Sequence, residues 1–271
     1  MHSAVHAQHA SWSLPMTLGL AGIALAGIAA VYLCTPGRLR SFRPAVFLGG
    51  VCVIWIAIAS PLAALDHQLL TIHMVQHLLL MTVASPLILW GLPAPWPATN
   101  LRHLACCWMA GTATVIGWHI PAAFQLALGS AWWHGVEQAS FLLAGLLFWW
   151  PVRSSTGNER AGNDWSGNEW SRNDWSGNER SGNEWSVPLY LFLATLPCDI
   201  LSAFLVFCGR VVYPSYLAAP RLFDLSALQD QEIAGALMWV SVTLIYLIPA
   251  VIITVQILSP VARSAAKAVQ S

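Results

Sequence analysis

The sequence predicts an all-α integral membrane protein with seven transmembrane helices, its N-terminus outside the cell and its C-terminus in the cytoplasm. Of its 271 residues, 57% are hydrophobic and only 9% are charged, whereas soluble domains carry about 25% charged residues. Nine of the twenty-four charged residues also lie within residues 154–186, so few remain to cover a surface in contact with water. This composition argues against a soluble enzyme or a nucleic-acid-binding protein and predicts contact with membrane lipid.

Seven apolar stretches are long enough to cross a bilayer, which takes about 20 residues of helix. They are Leu14–Leu33, Pro44–Leu65, Leu69–Gly91, His103–Ile120, Trp133–Val152, Val187–Tyr213 and Glu232–Leu258. The fourth is the weakest, because it is short and ends in the sequence Trp118-His119-Ile120-Pro121. These stretches divide the chain into an external tail (1–13), spans one to five (14–153), a cytoplasmic loop (154–186), spans six and seven (187–258) and a cytoplasmic tail (259–271).

Basic residues set the predicted orientation, since Lys and Arg favour loops on the cytoplasmic side of a membrane. The loops after the first, third and fifth spans and the C-terminal tail hold most of them, namely Arg38, Arg40, Arg43, Arg102, Arg153, Arg160, Arg172, Arg180, Arg263 and Lys267. On the other side, only Arg221 lies clear of the span ends. An odd number of spans places the termini on opposite sides, so the span count and the charge bias agree.

The cytoplasmic loop contains a tandem repeat that has no apolar core. Thr156–Trp185 consists of six pentapeptides, TGNER, AGNDW, SGNEW, SRNDW, SGNER and SGNEW. Gly and Asn favour turns, and one Ala is the only aliphatic residue in the repeat. We therefore expect the repeat to be disordered and dispensable; the alternative is a docking segment that presents its tryptophans to a partner.

Histidines gather at the predicted outer face, where eight of the nine fall, and only His103 lies on the cytoplasmic side. His73 and His77 open the third span four residues apart, so they share one helix face about 6 Å apart along the axis. His119 ends the fourth span, and His134 opens the fifth at the same level. Ionisable residues inside a membrane are energetically costly and are therefore usually functional. These four imidazoles are the predicted metal ligands.

Carboxylates and thioethers accompany these histidines. We expect Glu137, Asp199 and Asp230 to support the site by accepting hydrogen bonds from imidazole N–H groups, as carboxylates commonly do around metal-bound histidine. Met74 and Met81 lie on the surface of the third span that carries the histidines, and they are candidate soft ligands or ordinary core residues. Imidazole combined with thioether favours copper or another late transition metal.

Five short motifs in the third to seventh spans add a family resemblance. They read His73-Met-Val-Gln-His77-Leu-Leu-Leu-Met, Ala84-Ser-Pro-Leu, Trp118-His-Ile-Pro, Phe148-Trp-Trp-Pro and Leu225-Ser-Ala-Leu-Gln-Asp230-Gln-Glu-Ile-Ala-Gly-Ala-Leu-Met-Trp239. Their order and spacing resemble the seven-helix CtaG family of cytochrome c oxidase assembly proteins, over nearly the whole chain except the repeat. The resemblance implies a role in maturing haem-copper terminal oxidases in the bacterial cytoplasmic (inner) membrane. It also implies copper delivery, with the catalytic subunit or other assembly factors as partners.

One position departs from the pattern that the resemblance leads us to expect. The fifth span of the family should open with His-x-x-Glu-His, whereas this chain has His134-Gly-Val-Glu137-Gln138. If the last histidine of that pattern is a metal ligand, the site in this chain is weaker or differently built.

Two other functions fit the residues. In a haem-binding electron-transfer protein, His73 or His77 would face His119 or His134 across the haem iron. In a metal or proton transporter, Glu137 and Asp199 would relay the ion. The sequence has no HExxH zinc-protease pattern and no recognisable hydrolase motif, so we expect no enzymatic activity.

Overall fold

The computed structural model describes residues 43–93, 100–163, 185–220 and 223–270, and within these ranges the chain folds into helices without a strand. The helices are α1 (Pro44–Ala59), α2 (Leu70–Gly91), α3 (Leu101–His119), α4 (Pro121–Gly129), α5 (Ala131–Asn163), α6 (Ser186–Phe207) and α7 (Ala227–Gln270). Two short 3-10 segments, Pro61–Leu65 and Pro214–Leu217, lie in the connections after α1 and α6. The all-α prediction is therefore confirmed for the described part of the chain.

Four segments are long and apolar enough to cross a membrane: Pro44–Leu65, Leu70–Gly91, Ser186–Phe207 and Ala227–Ser259. They coincide with the second, third, sixth and seventh predicted spans. Helices α3 and α5 cover the fourth and fifth predicted spans but are less apolar, and the first predicted span, 14–33, lies outside the described residues. The chain is thus a membrane protein by the length and composition of its helices, while the count of seven spans and their orientation stay predictions.

Several helix boundaries differ from the predicted ones. Helix α6 ends at Phe207 rather than Tyr213, because Gly209 adopts a left-handed backbone conformation with φ of 64° that breaks the helix. Helix α7 begins at Ala227, before the predicted Glu232, and continues to Gln270, beyond the predicted end at Leu258. Helix α5 continues to Asn163, so the start of the pentapeptide repeat is helical where we expected disorder. Extending an existing helix adds one hydrogen bond per residue without the cost of nucleating a new helix. Residues 164–184 of the repeat lie outside the described ranges.

Helix α6 packs against the first half of α7, and α7 has one buried face and one exposed face. The buried face of α7 repeats every four residues and consists of Ala234, Met238, Val242, Tyr246 and Ala250. Large apolar side chains on its opposite face are exposed, among them Val240, Leu244, Ile248, Val251 and Val255. An exposed apolar stripe of this length is typical of a helix face in contact with lipid.

Close backbone packing places α2 beside α1 and α5. A Cβ atom added to Gly91 of α2 would lie 2.6 Å from the backbone nitrogen of Phe47 in α1. A Cβ added to Gly145 of α5 would lie 2.7 Å from the carbonyl oxygen of Met81 in α2. Both positions therefore require glycine, and the second brings the histidine-bearing face of α2 next to α5.

Helix α2 widens into a π-helical turn over Leu79–Ala84, which begins two residues after His77. Pro86 has no backbone N–H to donate to the preceding turn. The carbonyl of Met81, five residues earlier, accepts the indole N–H of Trp149 in α5 at 3.2 Å. The hydroxyl of Ser85 donates to the carbonyl of Leu80 at 2.8 Å, and it lies 3.2 Å from the carbonyl oxygen of Leu142 in α5. Such turns are frequent at functional sites, and this one lies where α2 passes from its histidine-bearing half to its apolar half.

Candidate metal centre

The first turn of α2 is held by a carboxylate from α7. Asp230 accepts the backbone N–H of Leu70 at 2.6 Å and that of Thr71 at 3.1 Å, and the Thr71 hydroxyl donates to it at 2.6 Å. The N–H groups of a first helical turn have no partner within their own helix, so Asp230 acts as an N-cap supplied by another helix. This predicted supporting residue thus contacts the backbone of α2, and it positions the histidines through that helix.

The central cluster joins two histidines of α2 to a glutamate of α5. The rings of His73 and His77 have centroids 4.4 Å apart, as expected for residues on one helix face. Glu137 Oε1 lies 3.4 Å from Nε2 of His73 and 3.7 Å from Nε2 of His77. The side chains of His73 and Glu137 are 0% exposed, so this carboxylate lies between two imidazoles with no access to bulk solvent.

His134 and Asp66 continue this cluster toward the exterior. Nδ1 of His134 lies 3.2 Å from Glu137 Oε2, and its Nε2 lies 3.1 Å from Asp66 Oδ2. Asp66 Oδ1 lies 3.6 Å from Nε2 of His67, whose side chain is 39% exposed. The hydroxyl of Tyr216 donates to the Asp66 carbonyl at 2.7 Å and fixes this connection. A chain of imidazoles and carboxylates therefore runs from an exposed histidine to the buried glutamate.

The pKa of Asp66 is low, although its carboxyl group is buried. Burial raises the pKa of Asp66, but the hydrogen bond with His134 and the charges of His67 and neighbouring histidines outweigh it and hold the pKa below its usual value. An anionic carboxylate at the outer end of the cluster attracts a cation.

Two overlapping groups of side chains have the geometry to hold a metal ion. One consists of Asp66, His73 and His134 and the other of His73, His77 and Glu137, and in each the ligand atoms lie within 4.8 Å of one another. Both ring nitrogens of His73 and His77 and both carboxylate oxygens of Glu137 are buried without a hydrogen-bond partner among the described residues. Contacts of 3.2–3.7 Å between Glu137 and three imidazoles offset part of the cost of burial. A bound cation would satisfy the ring nitrogens that remain, each of which costs about 1–3 kcal/mol when it is left unsatisfied.

Aromatic rings and two amides surround the cluster. Phe141 stacks on the His77 ring at a centroid distance of 3.9 Å. At the position where the resemblance leads us to expect histidine, Gln138 Nε2 donates to Gln76 Oε1 at 3.1 Å and lies 3.2 Å from His134 Nε2. Gln138 therefore contacts the predicted ligand His134, and its amide links α5 to α2.

His119, predicted as a fellow ligand, faces a neighbouring cavity. Its Nδ1 lies 2.7 Å from the carbonyl oxygen of Val115, and its Nε2 lies 3.3 Å from Met74 Sδ. The hydroxyl of Tyr213 donates to the His119 carbonyl at 3.1 Å and holds the end of α3. The cavity has a volume of about 30 Å³, and both His77 and Met81 also line it.

Asp199, predicted to support the site, lies between α6 and α7. Its Oδ1 accepts the hydroxyl of Thr243 at 3.2 Å. This contact belongs to the packing of the helix pair.

Asp66 is the residue of this site that sequence reasoning missed. It is the only carboxylate between the second and third predicted spans and directly precedes His67. The sequence signal that could have identified Asp66 is its position as a single acidic residue at the end of an apolar span. Its contact with His134 depends on how α5 packs against the loop, which spacing along the chain does not reveal.

Comparison with known proteins identifies one family. Residues 25–165 and 174–259 match the family model described as cytochrome c oxidase caa3 assembly factor (Caa3_CtaG). The unmatched interval, 166–173, falls inside the pentapeptide repeat. A search of curated proteins and a search of solved structures each found no match.

Proposed function

Because the chain belongs to the family of cytochrome c oxidase caa3 assembly factors, we propose that it holds copper at the outer face of the bacterial cytoplasmic membrane and delivers it to the catalytic subunit of a terminal oxidase. The observation that carries this proposal is the buried group of His73, His77 and Glu137, whose polar atoms lack hydrogen-bond partners among the described residues. The proposed role needs no catalytic step.

The chemistry of the ligands supports copper. Imidazole nitrogen suits copper, zinc, iron and nickel, whereas carboxylates alone would suit harder ions. Three imidazoles, His73, His77 and His134, lie within 4 Å of a carboxylate oxygen of Glu137. Thioethers of Met74 and Met81 line the adjoining cavity, and soft thioether sulfur is a ligand typical of Cu(I).

The arrangement of the cluster suits a carrier rather than a permanent metal site. Its side chains come from three segments: the connection before α2, α2 itself and α5. The outer members are partly open, with the side chain of His67 39% exposed and that of His134 19% exposed. An ion could therefore load and leave through Asp66 and His134 without unfolding of the inner pair.

The same geometry favours an ion over the haem alternative. In the haem alternative His73 or His77 faces His119 or His134 across the iron, but the carboxylate of Glu137 already contacts both His73 and His134, at 3.4 and 3.2 Å. The adjoining cavity, at about 30 Å³, has room for a water-sized species and not for a macrocycle.

Substitution of the central carboxylate tests the proposal in cells. Glu137→Gln keeps the size of the side chain but removes the charge that neutralises a cation. We expect oxidase activity and oxidase copper content in membranes to fall, while the amount of the variant in the membrane stays at the wild-type level. Glu232→Gln, a partly exposed carboxylate on α7, is the matched control. Normal oxidase maturation with Glu137→Gln would contradict the proposed function.

A further inference from the structure

A sulfur-rich cavity adjoins the carboxylate cluster on its inner side. Four buried side chains with sulfur line it, Met74, Met81, Cys198 and Met238, together with two buried imidazoles, His77 and His119. These residues come from α2, α3, α6 and α7. The cavity volume of about 30 Å³ exceeds the roughly 10–15 Å³ that one water-sized species needs.

The contact between His119 and Met74 places two acceptors face to face. The Val115 carbonyl can only accept, so the His119 Nδ1 atom 2.7 Å away carries the hydrogen. In a neutral imidazole Nε2 then presents a lone pair, and it points at the Met74 thioether sulfur at 3.3 Å. Neither atom can donate to the other, and a cation shared between them would satisfy both.

The distance between these atoms suits ligands of one ion. With lengths of about 2.0 Å to nitrogen and 2.3 Å to sulfur, as at zinc sites, a separation of 3.3 Å gives an angle at the ion of about 100°. This angle is close to tetrahedral. Thioethers of Met81 and Met238 and the Cys198 thiol lie around the same cavity and could complete the coordination.

We propose that this cavity is a second metal site, specific for monovalent copper and separate from the carboxylate cluster. Thioether and thiol sulfur select Cu(I), whereas the cluster of imidazoles and carboxylates suits Cu(II). His77 belongs to the cluster and also lines the cavity, so an ion can pass between the sites once it is reduced by an external one-electron donor. The inference rests on the proposed function only for the identity of the metal.

Anaerobic titration of the full-length protein in detergent with Cu(I), in competition with a chromophoric Cu(I) chelator, tests the site. Copper X-ray absorption of the wild-type complex should contain sulfur neighbours as well as nitrogen. Met74→Leu and His119→Gln should each weaken Cu(I) binding by more than about tenfold, since loss of even an indirect partner of a metal costs 10–100-fold. Met109→Leu and His103→Gln, two exposed residues on α3, are the matched controls and should bind Cu(I) as the wild type does.

The outcomes separate this inference from the proposed function. Glu137→Gln should bind Cu(II) at least about tenfold more weakly and keep Cu(I) with its sulfur neighbours. A wild-type Cu(I) complex without sulfur neighbours would overturn the second site, and this measurement needs no variant to fold. Wild-type Cu(I) affinity in both Met74→Leu and His119→Gln would also overturn it. Neither result would affect the Glu137 test of oxidase maturation.

Discussion

Replacing Asp230 by Asn tests whether α7 positions the histidine-bearing end of α2. In the wild type the carboxylate accepts the N–H groups of Leu70 and Thr71 and the Thr71 hydroxyl, at 2.6, 3.1 and 2.6 Å. An amide has a single acceptor oxygen and presents an NH₂ group in place of the other. At least one of the three hydrogen bonds is therefore lost, and the acceptor of the remaining bonds is no longer charged.

The structure sets the size of the expected effect. A hydrogen bond to a charged group contributes about 1.5–3 kcal/mol, and Asp230 is 3% exposed, so water would replace little of the loss. We expect Asp230→Asn to lower the free energy of unfolding by about 2 kcal/mol, which corresponds to a fall in Tm of roughly 4–8 °C. Asp230→Ala removes every acceptor and should lower Tm further.

Thermal unfolding of the detergent-solubilised protein, followed by circular dichroism, measures this effect. Asp224→Asn is the matched control, because Asp224 is exposed and has a φ of 55°, a conformation that Asn tolerates. The control should unfold at the wild-type temperature. If Asp230→Asn and Asp224→Asn unfold at the same temperature, the carboxylate does not stabilise α2 and the argument for its positioning role is refuted.

Three further predictions concern maturation, the repeat and topology. His77→Ala should abolish oxidase maturation while the amount of the variant in the membrane stays normal, since alanine makes the helix more apolar. Excess external copper should partly restore maturation. If His103→Ala has the same effect as His77→Ala, the outer metal site is wrong. Deleting Thr156–Trp185 should preserve oxidase activity, because loop length costs little; loss of activity with the protein present would assign the repeat a docking role. A reporter active only outside the cytoplasm should be active at Gln68 and silent after Ser271, and the reverse pattern would overturn the orientation.

The helices could be predicted from sequence because hydrophobic length is a property of the chain itself. Runs such as Leu69–Gly91 must satisfy their backbone hydrogen bonds internally in lipid, which leaves helix as the structure. Their ends were less predictable. The end of α6 depends on the conformation of Gly209, and α5 continues beyond Val152 into polar residues that hydropathy assigns to a loop.

The candidate site could be predicted only as far as helical spacing reaches. His73 and His77 are four residues apart, so their shared face followed from helix geometry. The proximity of Asp66 to His134 and the capping of α2 by Asp230 are contacts between distant segments, and no local pattern encodes them. The same holds for His119, which was grouped with the other histidines by depth but has its Nε2 3.3 Å from the sulfur of Met74.

Copper binding by the central cluster is tested most directly by Cu(II) titration of the purified protein without reductant, with electron paramagnetic resonance of the complex. We expect the wild type to bind Cu(II) with nitrogen hyperfine structure from imidazole. Glu137→Gln should bind it at least about tenfold more weakly, and His103→Gln should match the wild type. A wild-type protein that binds no Cu(II), or a Glu137→Gln variant with wild-type affinity and spectrum, would contradict the assignment of His73, His77 and Glu137 as a copper site.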